Sequence, residues 1–308
     1  MKPGAHAAVV SELPGAGDVV RPAHRLADFV ILTKPRLNLL VLVTTVASLY
    51  LAAPGGVPLA VLLHTVIGTA LVAGGAAALN QALERDTDRL MSHTASRPVP
   101  DGRVRPGEAA AFGLVLSIVG LIELAATVNR LSAVVAGLTL ASYVLVYTPL
   151  KRRTSLATVV GAVPGALPPV IGWTAAGAPM TLEALVLFGI VFFWQMPHFL
   201  AIAWLYRDDY ARAGIPLLPV LEPDGRRTGH QALLYAAALW PVSLMPTVVG
   251  LAGAPYGLVA TALGFVFIAL AASFARQRST MSARRLFLFS IVYLPVLWGA
   301  LVVNRIWL

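Results

Sequence analysis

Asn80-Gln-Ala-Leu-Glu84-Arg85-Asp-Thr-Asp88-Arg89-Leu-Met-Ser-His93-Thr94-Ala-Ser-Arg97-Pro98 lies where an apolar run, Val57 to Leu83, gives way to a polar loop. Asn80, Glu84 and Asp88 are spaced i, i+4, i+8, which on a helix stacks their side-chain oxygens along one face. Arg85 and Arg89 form a row beside them. Hard oxygen ligands flanked by cations suit Mg²⁺ carrying a phosphate or diphosphate, because Mg²⁺ takes one or two carboxylates, keeps waters and completes its shell with substrate oxygens. In a soluble protein the same letters would describe a solvated helix end with i, i+4 ion pairs. Here Asn80 and Glu84 emerge directly from an apolar segment, where polar groups are costly and functional by default.

Composition sets the class. A chain of 308 residues that is 58% hydrophobic and 12% charged, with mean hydropathy +0.78, is a polytopic membrane protein rather than one or two soluble domains. The absence of cysteine excludes disulfides, thiolate zinc sites and iron–sulfur clusters. Apolar segments fall at about 38–53, 57–83, 109–128, 131–149, 155–176, 180–204, 230–251, 255–275 and 286–304. The expected fold is therefore all-α, a membrane helical bundle of about nine transmembrane helices.

The net charge of +9 does not call for nucleic acid, because of how it is distributed. With the N-terminus placed in the cytoplasm, every lysine and arginine of the 23 except Arg130 and Arg305 falls at the cytoplasmic ends of the spans. That bias fixes the orientation, puts the C-terminus outside in a cell (inner) membrane, and supports the span count, since dropping one span would scramble the alternation. Residues 1–27 lack the continuous apolar core and cleavage site of a signal peptide and are expected to form a disordered cytoplasmic tail. Residues 28–308 would form the transmembrane domain.

Four elements at that cytoplasmic face carry polar chemistry. Thr33-Lys34-Pro35-Arg36 opens the first span, and the second element is the stretch quoted above. The third is Tyr147-Thr-Pro-Leu-Lys151-Arg152-Arg-Thr154; the fourth is Trp204-Leu-Tyr206-Arg-Asp208-Asp209-Tyr210-Ala-Arg-Ala-Gly-Ile-Pro216. Read singly, the basic elements are also positive-inside anchors, and Asp208 and Asp209 are also caps offsetting Arg207 and Arg212. Read together, two carboxylate-bearing helix ends at one depth, ringed by Lys34, Arg97, Lys151 and Arg152, make a site for a doubly metallated diphosphate. A transporter would place its charges near the bilayer midplane instead.

These residues resemble a family. Asn80-x-x-x-Glu84-x-x-x-Asp88 followed by Thr94 and Arg97-Pro98 is similar to the first aspartate-rich motif of the intramembrane UbiA-type prenyltransferases. Within that superfamily the chain resembles the haem O synthases. The resemblance is carried by Thr33-Lys-Pro-Arg36, Glu84-Arg-Asp-x-Asp88-x-x-Met91, Tyr147-Thr-x-x-Lys151-Arg, Gly165-Ala-Leu-Pro-Pro-Val-Ile-Gly-Trp173, Trp194-Gln-Met-Pro-His198-Phe and Tyr206-Arg-Asp-Asp-Tyr210-x-x-Ala213-Gly-Ile-Pro216, across roughly residues 28–220. Four positions depart from the patterns of relatives: His93 where arginine is usual, Ala157 where asparagine is common, and Tyr206 and Tyr210 in place of the outer aspartates of the quinone-type relatives.

The resemblance implies transfer of a farnesyl group from farnesyl diphosphate to a vinyl group of haem B, giving haem O and releasing diphosphate. Haem B is then a substrate, Mg²⁺ the cofactor, and haem A synthase a candidate partner. Carried onto this chain, Asn80, Glu84 and Asp88 would hold one Mg²⁺, and Asp208 and Asp209 would serve a second metal or position the basic residues. Lys34, Arg97, Lys151 and Arg152, with Arg36 and Arg85 beside them, would clamp the diphosphate, and Tyr147 or Tyr206 would orient water. His198 would ligate or pack against the porphyrin, with Trp173 and Trp194 lining its cavity; His64, deeper and nearer the outer side, would make a helix–helix hydrogen bond. A quinone or other lipid acceptor is the alternative within the same superfamily.

Overall fold

The computed structural model describes residues 22–306. All the regular structure in it is helical, and nine helices are long and apolar enough to cross a membrane. The spans are α2 (Pro35–Ala52), α3 (Leu59–Leu83), α5 (Pro106–Glu123) with a π turn to Val128, and α6 (Arg130–Ala141) continued through a second π turn (Ser142–Tyr147) into α7 (Thr148–Leu150). The next are α8 (Ala157–Ala166) joined end to end with α9 (Pro168–Ala175), and α10 (Leu182–Leu205). The last three are α13 (Arg226–Val248), α14 (Ala254–Gln277) and α15 (Thr280–Ile306). Short helices α1 (Pro22–Leu32), α4 (Arg85–Asp88), α11 (Arg207–Arg212) and α12 (Leu218–Leu221) all lie in the connections at one end of the bundle.

The expected spans are present, and α13 and α15 begin earlier than hydropathy suggests, at Arg226 and Thr280. Charged residues end an apolar run without ending the hydrogen-bond ladder, so Arg226, Arg227, Arg284 and Arg285 belong to helices. The disordered-tail expectation needs a similar correction. Residues 1–21 lie outside the described residues, but Pro22 already opens α1, six residues before the expected boundary. Proline is pre-organised for a first helical turn. Leu32 then packs with Ala78, Val99, Val104 and Ala109, and the buried Asp28 accepts from Arg103 Nε at 2.9 Å. α1 is thereby fixed over the polar loop.

Two sub-assemblies share α2 and α10. On one side α3 lies along α5; on the other α10, α13, α14 and α15 enclose the largest apolar core, in which Tyr256, Phe267, Phe274 and Tyr293 are fully buried. Leu114, Val115, Ile118 and Ile122 on α5, like Leu288, Ile291 and Val292 on α15, remain exposed, as lipid-facing side chains of a membrane bundle do.

Backbone approach, rather than large side chains, joins α3 to α5. A Cβ placed on Gly120 would stand 2.7 Å from the carbonyl oxygen of Gly68, and one on Gly113 2.8 Å from that of Gly75. Glycine at these positions lets two membrane helices touch, since association in lipid relies on packing rather than on hydrophobic expulsion. At the end of the same seam away from the polar loop, His64 Nδ1 lies 2.7 Å from Glu123 Oε1, the expected helix–helix contact. Gly120→Val should lower the yield and the thermal midpoint of folded protein in detergent by an amount typical of severe overpacking, about 3 kcal/mol. Gly299→Ala, where a Cβ meets nothing within 4 Å, should leave both unchanged or slightly improved. Size-exclusion chromatography with thermal unfolding checks both.

Candidate active site

The site forms where the first, second, fourth and sixth spans end. α3 stops at Leu83 and Glu84 interrupts it with φ −94° and ψ 7°, so Asn80, Glu84 and Asp88 do not lie on one unbroken helix as expected. The i+4 bonds survive the break, with Glu84 N donating to Asn80 O at 2.9 Å and Asp88 N to Glu84 O at 2.8 Å. The three side chains therefore keep their stacking. The loop beyond is held by Thr94 Oγ1 donating to Asp88 O (2.7 Å) and Arg89 Nε to Pro100 O (2.7 Å).

Asn80 and Glu84 each face a cation from the end of another span, and Asp88 faces one from the loop that follows it. Lys34 Nζ donates to Asn80 Oδ1 at 3.2 Å, Lys151 Nζ to the Glu84 carboxylate at 3.2 Å, and Arg97 Nη1 to Asp88 Oδ2 at 2.7 Å. Asn80, Glu84 and Asp88 are at most 4% exposed. Uncompensated charge at that depth would cost several kcal/mol, so the pairs are what allows the acids to remain there.

Lys34 occupies the left-handed region, at φ 48° and ψ 57°, immediately before Pro35. A non-glycine residue there costs about 1–2 kcal/mol. Asn38 Nδ2 donating to Thr33 O at 2.6 Å holds the turn, and the turn aims the amine at the acids. Burial, reinforced by the nearby Arg97 charge, lowers the Lys34 pKa to about 8. Lys151 shifts the other way. Burial opposes its charge, but the Tyr147 hydroxyl and Glu84 carboxylate beside it outweigh burial and push its pKa up.

Three further residues lie beside these groups: Tyr143 and Thr148, which sequence reasoning did not single out, and Tyr210, which it noted only as a departure from the quinone-type pattern. Pro149 cannot donate to the ladder, and the preceding segment widens into the π turn, in which Thr148 N bonds Tyr143 O. The turn stacks Tyr143 on Tyr147, ring centroids 5.4 Å apart, and directs Thr148 Oγ1 to Asn80 Nδ2 at 3.2 Å. Tyr210 comes from α11; its hydroxyl is pushed above its ordinary pKa by burial, and it lies close enough to feel Lys151 and Glu84. The available signal was the tyrosine recurring four residues before Tyr147 and four after Tyr206.

Asp208 and Asp209 do not join the other acids, a correction to the expected second ligand set. The Asp208 side chain is 84% exposed, with Arg207 at 3.9 Å as its ion pair. Asp209 is buried, but Ser92 Oγ and His93 Nδ1 each lie 2.7 Å from Oδ2, and Arg212 pairs with Oδ1. Both oxygens are committed, so Asp209 latches the 89–105 loop to α11. His93, the departure from arginine, is one half of that latch and packs on Tyr206 at 4.5 Å. Arg36, Arg85 and Arg152 are exposed, with Arg85 paired to Asp86, so of the cations expected there only Lys34, Arg97 and Lys151 come together at the buried acids. Tyr206 stands at the rim, 42% exposed. Trp173 donates to Pro179 O at the far end of the bundle and is not near these groups. Ala157 is fully buried, so no polar contact arises there.

The chemistry of the remaining donors fits one hard cation better than two. Among the described residues no three of His, Cys, Asp or Glu converge as a metal site. Asp88 Oδ1, however, is buried with no hydrogen-bond partner, a free carboxylate oxygen beside Glu84 and Asn80. An orphaned charged oxygen at such depth calls for a cation or donor.

A family profile described as the UbiA prenyltransferase family matches residues 41–294. The chain belongs to that family. It is similar to a protein named protoheme IX farnesyltransferase from Solibacter usitatus, 47% identical over 289 residues that cover 91% of this chain and 99% of the relative. Among solved structures, a digeranylgeranylglyceryl phosphate synthase superposes with TM-score 0.78 at 16% identity, covering 92% of this chain and all of that one. A UbiA homolog from Archaeoglobus fulgidus bound to GPP and Mg²⁺ superposes with TM-score 0.64 at 16% identity, covering 90% and 99%. At these identities the structural likenesses establish the UbiA fold, and this UbiA chain is a prenyltransferase.

The Asp209 latch has a testable pH signature. Hydrogen bonds from His93 and Ser92, with the Arg212 charge, lower the Asp209 pKa to about 2 from 3.8. A depressed carboxyl stabilises the fold above its unfolded pKa and loses that contribution as pH falls through the folded one. The thermal midpoint of the wild type should exceed that of Asp209→Asn by a few degrees at pH 5–7, and the gap should close as pH drops from about 4 to 2.

Proposed function

We propose that this UbiA prenyltransferase is a protohaem IX farnesyltransferase that transfers the farnesyl group of farnesyl diphosphate to a vinyl group of haem B. The allylic C–O bond breaks with its electron pair going to the departing diphosphate. The vinyl terminal carbon supplies the pair for the new C–C bond, and water adds to the resulting porphyrin-side cation with loss of a proton. The products are haem O and diphosphate. The observation that carries the reading is the cluster of Lys34, Arg97 and Lys151 around Asn80, Glu84 and Asp88, in a chain whose near-full-length relative carries the farnesyltransferase name.

The physical demand is to stabilise negative charge growing on the diphosphate while keeping the allylic cation from water. Lys34, Arg97 and Lys151 are positioned to exchange their present protein oxygens for diphosphate oxygens, and their charge in a low-dielectric pocket stabilises the leaving group by several kcal/mol. Asp88, with Glu84 and Asn80, would hold one Mg²⁺. When bound, that ion supplies Lewis-acid stabilisation of the diphosphate oxygens; the GPP and Mg²⁺ in the Archaeoglobus homolog support the assignment. Tyr147, Tyr143 and Tyr210 wall the pocket and exclude bulk water. The cationic ends of the spans support an inner-membrane protein with this pocket at the cytoplasmic face.

Asp88→Asn should reduce turnover about 10²–10³-fold while the protein stays folded, and excess EDTA should silence the wild type until Mg²⁺ is restored. Radiolabelled farnesyl diphosphate offered with haem B or 4-hydroxybenzoate separates the acceptors: label in a haem product supports the reading, and label only in the benzoate replaces haem with a quinone precursor.

A further inference from the structure

His198 of the sixth span bonds Ser290 Oγ at 2.7 Å and stacks on Trp194, but Thr148 of the fourth bonds a candidate metal ligand directly. That ligand is Asn80, whose side-chain amide can be turned either way round with almost no change of shape. Only its oxygen can serve a cation, so the direction it faces matters. Neighbours at the ends of two other spans settle it. Lys34 Nζ, which can only donate, lies 3.2 Å from Asn80 Oδ1, and Thr148 Oγ1 lies 3.2 Å from Asn80 Nδ2. Oδ1 thus faces the amine on which the Glu84 and Asp88 charges also act. Asn80 and Thr148 are both buried, which keeps bulk water from replacing the contact between them.

Thr148 is itself confined to one role. A hydroxyl carries a single proton, and that of Thr148 goes to the carbonyl oxygen of Tyr143 at 2.9 Å, a group that can only accept. Lone pairs are what the hydroxyl has left, so it accepts from the Asn80 NH₂. The backbone explains why the Tyr143 carbonyl is there to be used. In an α-helix it would bond the nitrogen of Tyr147, but the π turn over Ser142–Tyr147 passes it to the nitrogen of Thr148. Backbone nitrogen and side-chain hydroxyl of one residue then converge on one oxygen, which fixes the direction of the Thr148 side chain.

We infer that Thr148 is a positioning residue for metal binding: by accepting from the Asn80 NH₂ it keeps Asn80 Oδ1 turned into the pocket and available to Mg²⁺. The inference rests on the reading that Asn80 helps to hold that ion. A reversed amide would point its NH₂ at the cation and remove an oxygen ligand. While Lys34 stays on Oδ1 the amide has two guides, and once the lysine turns to a diphosphate the Thr148 contact still holds the NH₂ side. Groups that orient a metal ligand in this way commonly matter to affinity nearly as much as the ligand does.

Mn²⁺ takes the same oxygen donors as Mg²⁺, and the EPR signal of the free ion reports how much is bound when it is titrated into the purified full chain in detergent. The wild type should bind Mn²⁺ at a site that Asp88→Asn weakens. Thr148→Val, which keeps the shape and removes the hydroxyl, should raise the dissociation constant about tenfold or more, while Thr148→Ser stays within about twofold of the wild type. The link to Asn80 is read in an Asn80→Asp background. There both terminal side-chain atoms are oxygens and no direction needs setting, so adding Thr148→Val should change the constant by less than about threefold. Should the valine variant fail to fold, Thr148→Ala takes its place with the same expectations. An unchanged constant in Thr148→Val, an equal loss in Thr148→Ser, or a full loss persisting in the Asn80→Asp background overturns the inference. If the wild type binds Mn²⁺ through Asp88 and Thr148→Val binds it equally well, this inference alone fails; if the wild type binds none, the metal reading fails with it.

Discussion

Charge compensation at the rim of an apolar bundle governs this protein. Asn80, Glu84 and Asp88 sit in almost complete burial, and they are tolerated there because Lys34 and Lys151 reach the first two from other spans while Arg97 folds back onto the third from the following loop. Removing one member of such a pair leaves a buried charge with no partner, so the ends of the first, second and fourth spans are held in register by electrostatics more than by shape. The same pairing keeps the site ready. Cations engaged by neutral or shared oxygens can turn to a more highly charged anion without the backbone moving, and pre-placed charge is what stabilises a leaving diphosphate.

Around that rim the fold supplies rigidity in places where sequence rules would forecast weakness. Lys34 is strained into the left-handed region, Glu84 breaks the second span, Pro149 follows a π turn, and Pro168 divides the fifth span. The first three lie beside a candidate site residue or redirect one, and at the fourth the Pro168 carbonyl accepts from Thr45 Oγ1 at 3.1 Å. The π turn brings Tyr143, Tyr147 and Thr148 to a single wall, and the break at Glu84 lets the loop to Arg105 fold back over α11. Irregular backbone at membrane depth survives only where protein buries it or a cavity receives it.

The latch formed by Ser92, His93, Asp209 and Arg212 divides labour between two acidic segments that look alike as letters. One segment keeps a buried carboxylate oxygen, Asp88 Oδ1, free of protein partners; in the other, Asp209 uses its buried carboxylate to hold the first in place. The histidine at position 93 fits this division, since an imidazole bridges a short gap to Asp209 and packs on Tyr206 at the position where the family pattern has arginine.

The sequence by itself determined the class, the nine spans and the pairing end, because hydropathy, lysine and arginine asymmetry and helical spacing are one-dimensional properties set by the bilayer. Its spacing and charge also point to Asn80, Glu84, Asp88, Lys34, Arg97 and Lys151. Tertiary structure decided which partners each of them has, placed Asp208, Arg36, Arg85 and Arg152 away from the buried acids, recast Asp209 as a clasp, added Tyr143 and Thr148, and brought Tyr210 beside them. Those outcomes depend on which way side chains point at helix ends and on contacts between segments up to 117 residues apart, as between Ser92 and Asp209. Local spacing cannot encode them, because a carboxylate's role is set by whichever donor the packing of distant helices delivers to it.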